Sequence, residues 1–350
     1  MHGTGAPLGR FTKEVPTKAK EGASNVARVL KSAQRILILG HAGADGDVAG
    51  SSLGLACALR GLGKTVTVYN EEPLSPIFDF LPGASKQVDF VDDNAKFDAT
   101  VVVDAARTDR LGKHFPQAER RGSYCWVDHH RIDEPPGDVN YIDLTAAAVG
   151  EQIAEILDAM GIEFTRDVAS CLYASLMTDT GAFRYGNTTA RAFRLAARLV
   201  AAGCEPWEMT QALYESQAES RVRLLGKALT TLERTCKGEL GVLQVHDEDL
   251  TKADATERDV HGIVNHVRGI RGVELAVLVR GNDDACRVIF RSRGNVNVQP
   301  IAEKLGGKGS MNAGKVMLSY SVGEGVKQVQ AAVCEVLCAD VNSEVTAEDG

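Results

Sequence analysis

Four apolar segments in the first half of the chain each run directly into acidic or histidine residues. The segments cover residues 36–40, 100–103, 124–127 and 173–178, and these residues follow them: His41, Asp45, Asp47, Asp104, Asp128, His129, His130 and Asp179. Short strand-like runs that alternate with helical stretches are typical of βαβ units and a largely parallel sheet. Because the carboxyl ends of such strands share one crevice, we expect these side chains to converge there.

The hydrophobic pattern predicts an α/β protein. Its N-terminal domain has a mostly parallel sheet flanked by helices, and a linker helix leads to a smaller C-terminal α/β domain. Strands are predicted at 35–40, 65–69, 99–104, 123–128, 240–246, 273–280 and 286–291. Helices are predicted at 25–34, 51–61, 146–160, 166–178, 189–202, 217–235, 258–269 and 326–338.

The same pattern divides the chain into five parts. Residues 1–24 are expected to be a flexible tail, because they are rich in Gly, Pro, Thr and Lys and show no periodicity. The other parts are a first domain at 25–215, a linker helix at 216–236, a second domain at 237–340 and an acidic tail at 341–350.

Composition limits the cellular setting. The chain has 350 residues, of which 44% are hydrophobic and 25% charged. No apolar run approaches the roughly 20 residues needed to span a bilayer, and the N-terminus has no apolar signal core. The eight cysteines lack zinc-finger spacing, which favours free thiols. We therefore expect a cytoplasmic protein with reduced cysteines and no membrane partner.

The distribution of charge restricts the kind of ligand. A net charge of −8 argues against binding of a long nucleic-acid duplex. Between Ala285 and Lys327, however, seven basic residues accompany two acidic ones. This local excess of positive charge fits a small anionic ligand, although a solvated loop surface gives the same count.

The acids and histidines indicate a metal site. Gly43 and Gly46 let the backbone turn sharply, so that Asp45 and Asp47 can face one point. Carboxylates and imidazoles without cysteine suit Mn²⁺, Mg²⁺ or Zn²⁺, and there are enough acids for two ions. The helix that follows would offer its N-terminal amides to a phosphate. These features are typical of a two-metal phosphoesterase.

The order of these motifs resembles the DHH phosphoesterase superfamily. Residues 179–185 (Asp-Thr-Gly-Ala-Phe-Arg-Tyr), 291–294 (Arg-Ser-Arg-Gly) and 301–307 are similar to its nano-RNase branch. The resemblance covers residues 25–340. It implies a DHH catalytic domain at 25–215 and a DHH-associated, substrate-binding domain at 237–340. Members degrade very short oligoribonucleotides, and many also remove a phosphate from 3′-phosphoadenosine 5′-phosphate.

The resemblance also implies roles for the motif residues. His41 and Asp45 would hold one ion, while Asp47, His129 and Asp179 would hold the other. Asp104 would bridge both. His130 would contact the scissile phosphate or its attacking water, and Asp128 would orient a histidine. The cofactors would be two divalent ions, with Mn²⁺ preferred and Mg²⁺ or Co²⁺ possible, and a homodimer is plausible.

Substrate contacts are expected in both domains. Arg110 and Arg184 could reach phosphate oxygens, and Phe183 and Tyr185 could stack a base or pack in the core. In the second domain, arginine forks and exposed backbone amides make an anion clamp. Its expected members are Arg291, Ser292, Arg293, Gly306, Gly307 and Lys308. By resemblance, Asn265 would read a base or ribose.

One motif departs from the family pattern. The usual loop is Gly-Gly-Gly-His-x-x-Ala-Ala-Gly, but this chain has Lys308 in place of the third glycine and Gly309 in place of the histidine. Asn312 replaces the first alanine. The missing histidine normally contacts the substrate phosphate. A lysine can supply the charge with a different geometry, which affects substrate choice more than metal chemistry.

Several functions compete at this point. The leading one is a Mn²⁺-dependent phosphodiesterase acting on short RNA oligonucleotides or small nucleotides. A cyclic dinucleotide phosphodiesterase is a rival enzyme, and a non-catalytic nucleotide-binding sensor is a rival of another class. A single-strand DNA exonuclease of the RecJ type is disfavoured, because the chain lacks a broad basic channel. An inorganic pyrophosphatase is disfavoured by the Arg291–Arg293 and Phe183/Tyr185 motifs.

Overall fold

The computed structural model describes residues 17–113 and 115–345. The chain divides after Ser216 into two compact units, Met1–Ser216 and Gln217–Gly350. Each unit has its own sheet and its own apolar clusters. Within the described residues, no helix combines the length and the apolar character that crossing a membrane requires.

The first unit contains a five-stranded, all-parallel sheet in the order β2-β1-β3-β4-β5. Its strands are β1 Arg35–Leu39, β2 Thr65–Tyr69, β3 Ala99–Val103, β4 Ser123–Asp128 and β5 Val139–Ile142. The central strands are nearly continuous runs of Ile, Leu and Val buried on both faces, as expected for a parallel sheet covered on two sides. Since all five strands run the same way, their carboxyl ends lie along one edge.

The described part of this unit contains six α-helices: α1 Thr17–Ser32, α2 Gly46–Gly61, α3 Val149–Met160, α4 Arg166–Asp179, α5 Ala190–Ala201 and α6 Pro206–Tyr214. Helices α2 and α4 approach each other closely, because α2 presents glycines to its neighbour. A Cβ atom added at Gly50 would lie 2.4 Å from the carbonyl oxygen of Cys171. This approach allows the first turn of α2 and the last turn of α4 to contribute to one site.

The second unit contains a six-stranded mixed sheet in the order β10-β11-β9-β8-β7-β6, in which β7 and β8 are parallel and the other neighbours antiparallel. Its strands are β6 Glu233–Thr235, β7 Leu240–His246, β8 Leu275–Gly281, β9 Cys286–Ser292, β10 Lys308–Gly309 and β11 Ala313–Leu318. Its helices are α7 Glu219–Leu229, α8 Asp247–Ala253, α9 Ile263–Arg268, α10 Val298–Lys304 and α11 Val322–Val345. One apolar cluster includes residues of α10 and α11, and another includes residues of α7, α8 and α9.

The predicted α/β class and the parallel sheet are confirmed, and the predicted strands agree within two residues at either end. Seven strands and α-helices of the described residues were missed, namely β5, β6, β10, β11, α6, α8 and α10. Helix α2 begins five residues before its predicted start, because the side chain of Asp45 caps it and accepts hydrogen bonds from Asp47 N and Val48 N.

The structure corrects the predicted tails and the predicted linker helix. Residues 17–24, assigned to the tail, form the first half of α1, and Ala23 is buried in the core. The segment 217–235 is helical only over Glu219–Leu229, and Leu224 packs inside the second unit. Residues 341–345 continue α11. The remainder of both predicted tails, 1–16 and 346–350, lies outside the described residues.

The expectation that all cysteines are free thiols is wrong for one pair. Cys236 and Cys334 form a disulfide between residues 98 positions apart in sequence. Helix α11 packs against the turn between β6 and β7, so tertiary structure joins two positions that linear spacing does not relate. The described free cysteines are Cys57, Cys125, Cys171, Cys204 and Cys286.

Candidate metal centre

Acidic and imidazole side chains meet at the carboxyl edge of the parallel sheet. They form three overlapping groups, and in each group the atoms that could bind a metal lie within 4.8 Å of one another. The groups are His41, Asp45 and Asp104; Asp47, His129 and Asp179; and Asp104, His129 and His130. The structure therefore brings together seven of the eight acids and histidines that follow the apolar segments.

Each side chain is placed by the end of a strand or helix. His41 follows β1, Asp104 follows β3, and His129 follows β4. Asp45 is the N-cap of α2, and Asp179 is the last residue of α4. Asp104 has a φ of +52°, a left-handed conformation that a non-glycine residue rarely adopts and that is often found at functional sites.

Asp104 lies between the other groups. One of its carboxylate oxygens is 3.9 Å from Nε2 of His41, and the other is 3.5 Å from Nε2 of His129. The carboxyl group is buried, and its Oδ1 atom lies 3.2 Å from Nδ1 of His130 as well as 3.5 Å from Nε2 of His129. A buried carboxylate is costly unless it is paired or coordinates a metal, so the arrangement suits a bound cation.

Asp47 is held rigidly below the surface. It accepts a hydrogen bond of 2.7 Å from Val149 N, at the start of α3, and one of 2.5 Å from the hydroxyl of Ser175 on α4. Burial, and next the negative charges of Asp104 and Asp179, raise the pKa of Asp47 well above its ordinary value. A divalent cation would relieve this crowding of carboxylates.

Two histidines present the same nitrogen to the acids. In His41, Nδ1 lies 2.9 Å from the carbonyl oxygen of Ala42, and in His129 it lies 3.2 Å from that of Ala146. A carbonyl on Nδ1 fixes the tautomer that leaves Nε2 as a ligand. Although burial lowers the pKa of His129, its hydrogen bond to Asp104 and the charge of Asp47 raise that pKa to about 9. Metal ions would displace such protons.

His130 is oriented by Asp128. Its Nδ1 and its backbone N each lie 2.9 Å from Oδ1 of Asp128, and Nδ1 is also 3.2 Å from Asp104. The other oxygen of Asp128 accepts from Ala106 N at 2.7 Å and from the indole of Trp126 at 3.2 Å. Hydrogen bonds to Asp104 and Asp128 raise the pKa of His130 to about 10. The half-exposed ring is thus fixed through Nδ1, which leaves Nε2 for other contacts.

The donor set fits divalent ions. It consists of carboxylate oxygens and imidazole nitrogens without sulfur, which suits Mn²⁺, Mg²⁺ or Zn²⁺ rather than a purely thiophilic metal. The first group offers His41, Asp45 and Asp104, and the second offers Asp47, His129 and Asp179. Two ions could therefore bind side by side, with Asp104 facing both.

Arg110 and Arg184, the predicted substrate contacts of the first unit, lie a few residues after Asp104 and Asp179 in sequence. The two arginines have different surroundings. Arg110 ends a short 3₁₀ turn, and its carbonyl accepts from Ala42 N at 2.6 Å, which places its backbone beside the His41 segment. Arg184 is exposed and donates from Nε to Gly181 O. Phe183 stacks on Phe193 with ring centroids 5.4 Å apart. Phe183 is also partly buried against the core of the first unit, which favours the packing role over base stacking.

In the second unit, the predicted clamp residues occupy neighbouring strands. Arg291 on β9 pairs with Ala313 on β11, and β11 pairs with Lys308 and Gly309 of β10. Arg291 is half-buried, and burial together with the positive charge of Arg268 lowers its pKa. Such a site favours an anion.

The other predicted substrate contacts of the second unit differ from one another in burial and in hydrogen bonding. Ser292 is buried and accepts from Gly294 N at 3.0 Å, so its hydroxyl braces a turn. Arg293 is exposed. Gly306 and Gly307 precede β10, and a Cβ at Gly307 would collide with the carbonyl oxygen of Lys315. Asn265 on α9 has a buried Oδ1 without a hydrogen-bond partner among the described residues.

Sequence reasoning missed the groups that hold the candidate ligands in place. Ser175 and the α3 amide of Val149 fix Asp47, while Trp126 supports Asp128. One signal was available, since Ser175 lies four residues before Asp179 and thus on the same face of α4. The contribution of the α3 amides depends on tertiary packing alone.

Comparisons with known proteins give related sequences along most of this chain. Residues 35–176 match the model of the DHH family, N-terminal domain. The bifunctional oligoribonuclease and PAP phosphatase NrnA of Thermus thermophilus is 31% identical over 314 residues, which cover 89% of this chain and 93% of the relative. The protein of the same name from Bacillus subtilis is 27% identical over 82% of this chain and 90% of its own length.

A solved structure shows the same fold. An exopolyphosphatase-related protein from Bacteroides fragilis superposes with a TM-score of 0.84 at 22% sequence identity. The match covers 93% of this chain and 99% of that one.

Proposed function

The chain belongs to the DHH family, and from this membership and the site geometry we propose that it is a metal-dependent phosphoesterase acting on short oligoribonucleotides and on 3′-phosphoadenosine 5′-phosphate. Support for the substrates comes from the NrnA relatives, which are named as oligoribonucleases and PAP phosphatases and align over most of this chain. The alignment extends well beyond the DHH domain, so it also includes most of the second unit.

The observation that carries the chemistry is the position of Asp104. Its two oxygens face His41 on one side and His129 on the other, each within 4 Å of an Nε2 atom. A carboxylate in this position can bind two ions at once. His41 and Asp45 would complete one site, and Asp47, His129 and Asp179 the other. We propose Mn²⁺ as the preferred ion.

The remaining residues have distinct parts in the reaction. When bound, two divalent ions activate a water molecule and stabilise charge on the phosphoryl oxygens. His130, held through Nδ1 by Asp128, presents its half-exposed ring to the substrate phosphate. Asp128 is a positioning residue, because it is fully buried and reaches substrate only through His130. Arg110 and Arg184 supply positive charge to further phosphate oxygens.

The second unit also contains basic residues that suit a small anionic substrate. Arg291 is half-buried beside the charge of Arg268, and Lys308 stands on the short edge strand β10. Guanidinium groups and exposed amides of this kind bind phosphate well. We propose that these residues bind a phosphate group of a small nucleotide.

The direct test is hydrolysis of a 5′-labelled ribonucleotide pentamer with purified protein and Mn²⁺, followed over time. We expect shorter labelled products, and we expect adenosine 5′-phosphate from 3′-phosphoadenosine 5′-phosphate. Asp104→Asn should abolish both reactions. Asp133→Asn is the matched control, because it makes the same chemical change at an exposed acid and should retain activity.

Two results would contradict the proposal. An intact pentamer and intact phosphoadenosine phosphate, with cyclic di-AMP cleaved, would indicate a cyclic dinucleotide phosphodiesterase. Bound Mn²⁺ without hydrolysis of any of these compounds would indicate a nucleotide sensor.

A further inference from the structure

A cavity of about 270 Å³ lies within the first unit, next to the candidate metal centre. Gly46 and Thr178 both line it. Gly46 stands between Asp45 and Asp47, and Thr178 immediately precedes Asp179. The cavity therefore borders residues that are adjacent in sequence to three candidate metal ligands, Asp45, Asp47 and Asp179.

The walls of the cavity are aromatic and aliphatic. Phe78 and Leu213 are buried, whereas the rings of Tyr185 and Tyr214 are partly accessible. Tyr214 donates from its hydroxyl to Met177 O at 3.3 Å, so its ring is fixed in place. A pocket with flat apolar walls beside a charged centre suits a planar ring attached to a phosphate ester.

An unusual turn places Tyr185 in this wall. Gly181, Ala182 and Phe183 all have positive φ values, of 57°, 58° and 61°. The turn is held by Thr180, whose carbonyl accepts from Arg184 N at 3.0 Å and from Tyr185 N at 2.9 Å. Left-handed conformations at alanine and phenylalanine cost energy, and such strain is often kept where it positions a functional group.

The same turn needs a glycine at its first position. A Cβ atom at Gly181 would lie 2.3 Å from the ring of Tyr185, so the ring covers this peptide closely. One side of the Tyr185 ring is thereby supported, while the side chain remains 43% exposed. A supported and accessible aromatic face is what base stacking requires.

We propose that this cavity binds a nucleobase of the substrate, with the base stacked on Tyr185. The proposal rests on the function proposed above and adds a binding site for the base. The volume is slightly below the range of about 300–1,000 Å³ typical of pockets for larger ligands, so the cavity takes one nucleoside rather than a dinucleotide. Arg184 lies at the rim, where the sugar-phosphate chain would leave the pocket.

The pocket can be mapped by photo-crosslinking the full-length protein with 8-azidoadenosine 5′-phosphate in the presence of Mn²⁺. We expect adducts within residues 181–185 or at Leu213 and Tyr214. Excess adenosine 5′-phosphate should suppress these adducts, while ribose 5-phosphate, which lacks the base, should need about a tenfold higher concentration or more.

Variants of the stacking residue separate a role in binding from a role in folding. Tyr185→Ala should raise the concentration of adenosine 5′-phosphate needed for competition by about tenfold, because base–aromatic stacking is lost. Tyr185→Phe keeps the ring and should behave like the wild type. Tyr320→Ala removes a tyrosine of similar exposure from the second unit and is the matched control.

The outcomes distinguish this inference from the proposed function. Adducts only outside the cavity, no adduct at all, or equal competition by ribose 5-phosphate would overturn the nucleobase pocket. Hydrolysis of the pentamer is measured in parallel. Turnover without adducts in the cavity leaves the phosphoesterase function standing, while adducts without turnover support the pocket and contradict the function.

Discussion

The hydroxyl of Ser175 donates a 2.5 Å hydrogen bond to Asp47, a candidate metal ligand 128 positions earlier in the sequence. Both groups are fully buried. Ser175 also accepts from Gly150 N at 3.0 Å, so one hydroxyl joins α4, α3 and the first turn of α2. Replacing a group that orients a metal ligand in this way commonly costs about ten- to hundredfold in metal affinity.

Ser175→Ala should therefore weaken metal binding. We expect a loss of about ten- to hundredfold in Mn²⁺ affinity, because Asp47 loses a hydrogen bond that fixes its orientation. Isothermal titration with Mn²⁺ measures this directly. Ser170→Ala, on the same helix but not bonded to Asp47, should keep wild-type affinity. Equal affinities in both variants would show that the hydroxyl does not support a metal site.

Metal binding should stabilise the folded chain through Asp104. Saturating Mn²⁺ at 100 times its dissociation constant adds about 2.7 kcal/mol to the free energy of unfolding. Asp104→Asn removes the carboxylate that faces both groups, so it should abolish the Mn²⁺-dependent rise in Tm. Asp133→Asn should retain the rise. A full Mn²⁺ response in Asp104→Asn would place the metal elsewhere.

A largely buried arginine should be a major source of stability in the first unit. Arg191 on α5 reaches Asp143 at 2.6 Å, Glu151 at 3.0 Å and Glu155 at 2.8 Å. Arg191→Met leaves these acids without their cation and should reduce the free energy of unfolding by about 3–5 kcal/mol. Urea denaturation gives the value.

The matched comparison for Arg191 is an exposed ion pair. Arg198 on the same helix bonds Asp158 at the surface, so Arg198→Met should change stability by no more than about 1 kcal/mol. Similar losses in the two variants would mean that the buried pairs contribute no more than the exposed one.

Glu151 should make stability depend on pH. Burial raises its pKa to about 7 from an ordinary value of 4.5, although the charge of Arg191 opposes the shift. The folded state therefore holds this proton more tightly than the unfolded state does. Its contribution to stability is complete below about pH 4.5 and is lost as the pH rises to about 7.

Replacing Glu151 by glutamine tests the direction of this pH dependence of stability. Glu151→Gln should reduce the fall in the free energy of unfolding between pH 4.5 and 7, measured by denaturant titrations at several pH values. Glu163→Gln, at an acid that lies outside the Arg191 cluster, should preserve the wild-type dependence. An unchanged slope in Glu151→Gln would contradict the raised pKa.

The disulfide between Cys236 and Cys334 should stabilise the second unit. It closes a loop of 98 residues, for which the loss of chain entropy in the unfolded state corresponds to about 4–5 kcal/mol. Reductant should lower the unfolding midpoint of the wild type. Cys334→Ala should be less stable from the start and should not respond to reductant, and a response there would assign the effect to a different disulfide.

Much of the first unit could be predicted because its signals are local. Strands β1, β3 and β4 are mostly apolar runs, and the acid or histidine at or just after the end of each is visible in the sequence. By contrast, β5 contains Asn140 and is only four residues long, so its pattern is too short to recognise. The family resemblance added the roles of the candidate ligands, which stay predictions.

Features that depend on long-range packing could not be read from the sequence. The Cys236–Cys334 pair joins a turn to a distant helix. The left-handed conformations of Ala182 and Phe183 carry no composition signal, because neither residue type favours them. The pocket that borders Gly46 arises from α2, α4 and α6 together, and only the tertiary structure shows that these segments meet.

The spread of the candidate ligands along the chain has a consequence for synthesis. His41 and Asp45 emerge early, but the second group is complete only with Asp179 at the end of α4. Because the chain is made from its N-terminus, a nascent chain shorter than this carries a partial set of acids without its final member. Binding of both ions by complete sets of ligands must therefore follow the synthesis of α4, whereas the group of His41, Asp45 and Asp104 is complete once β3 has been made.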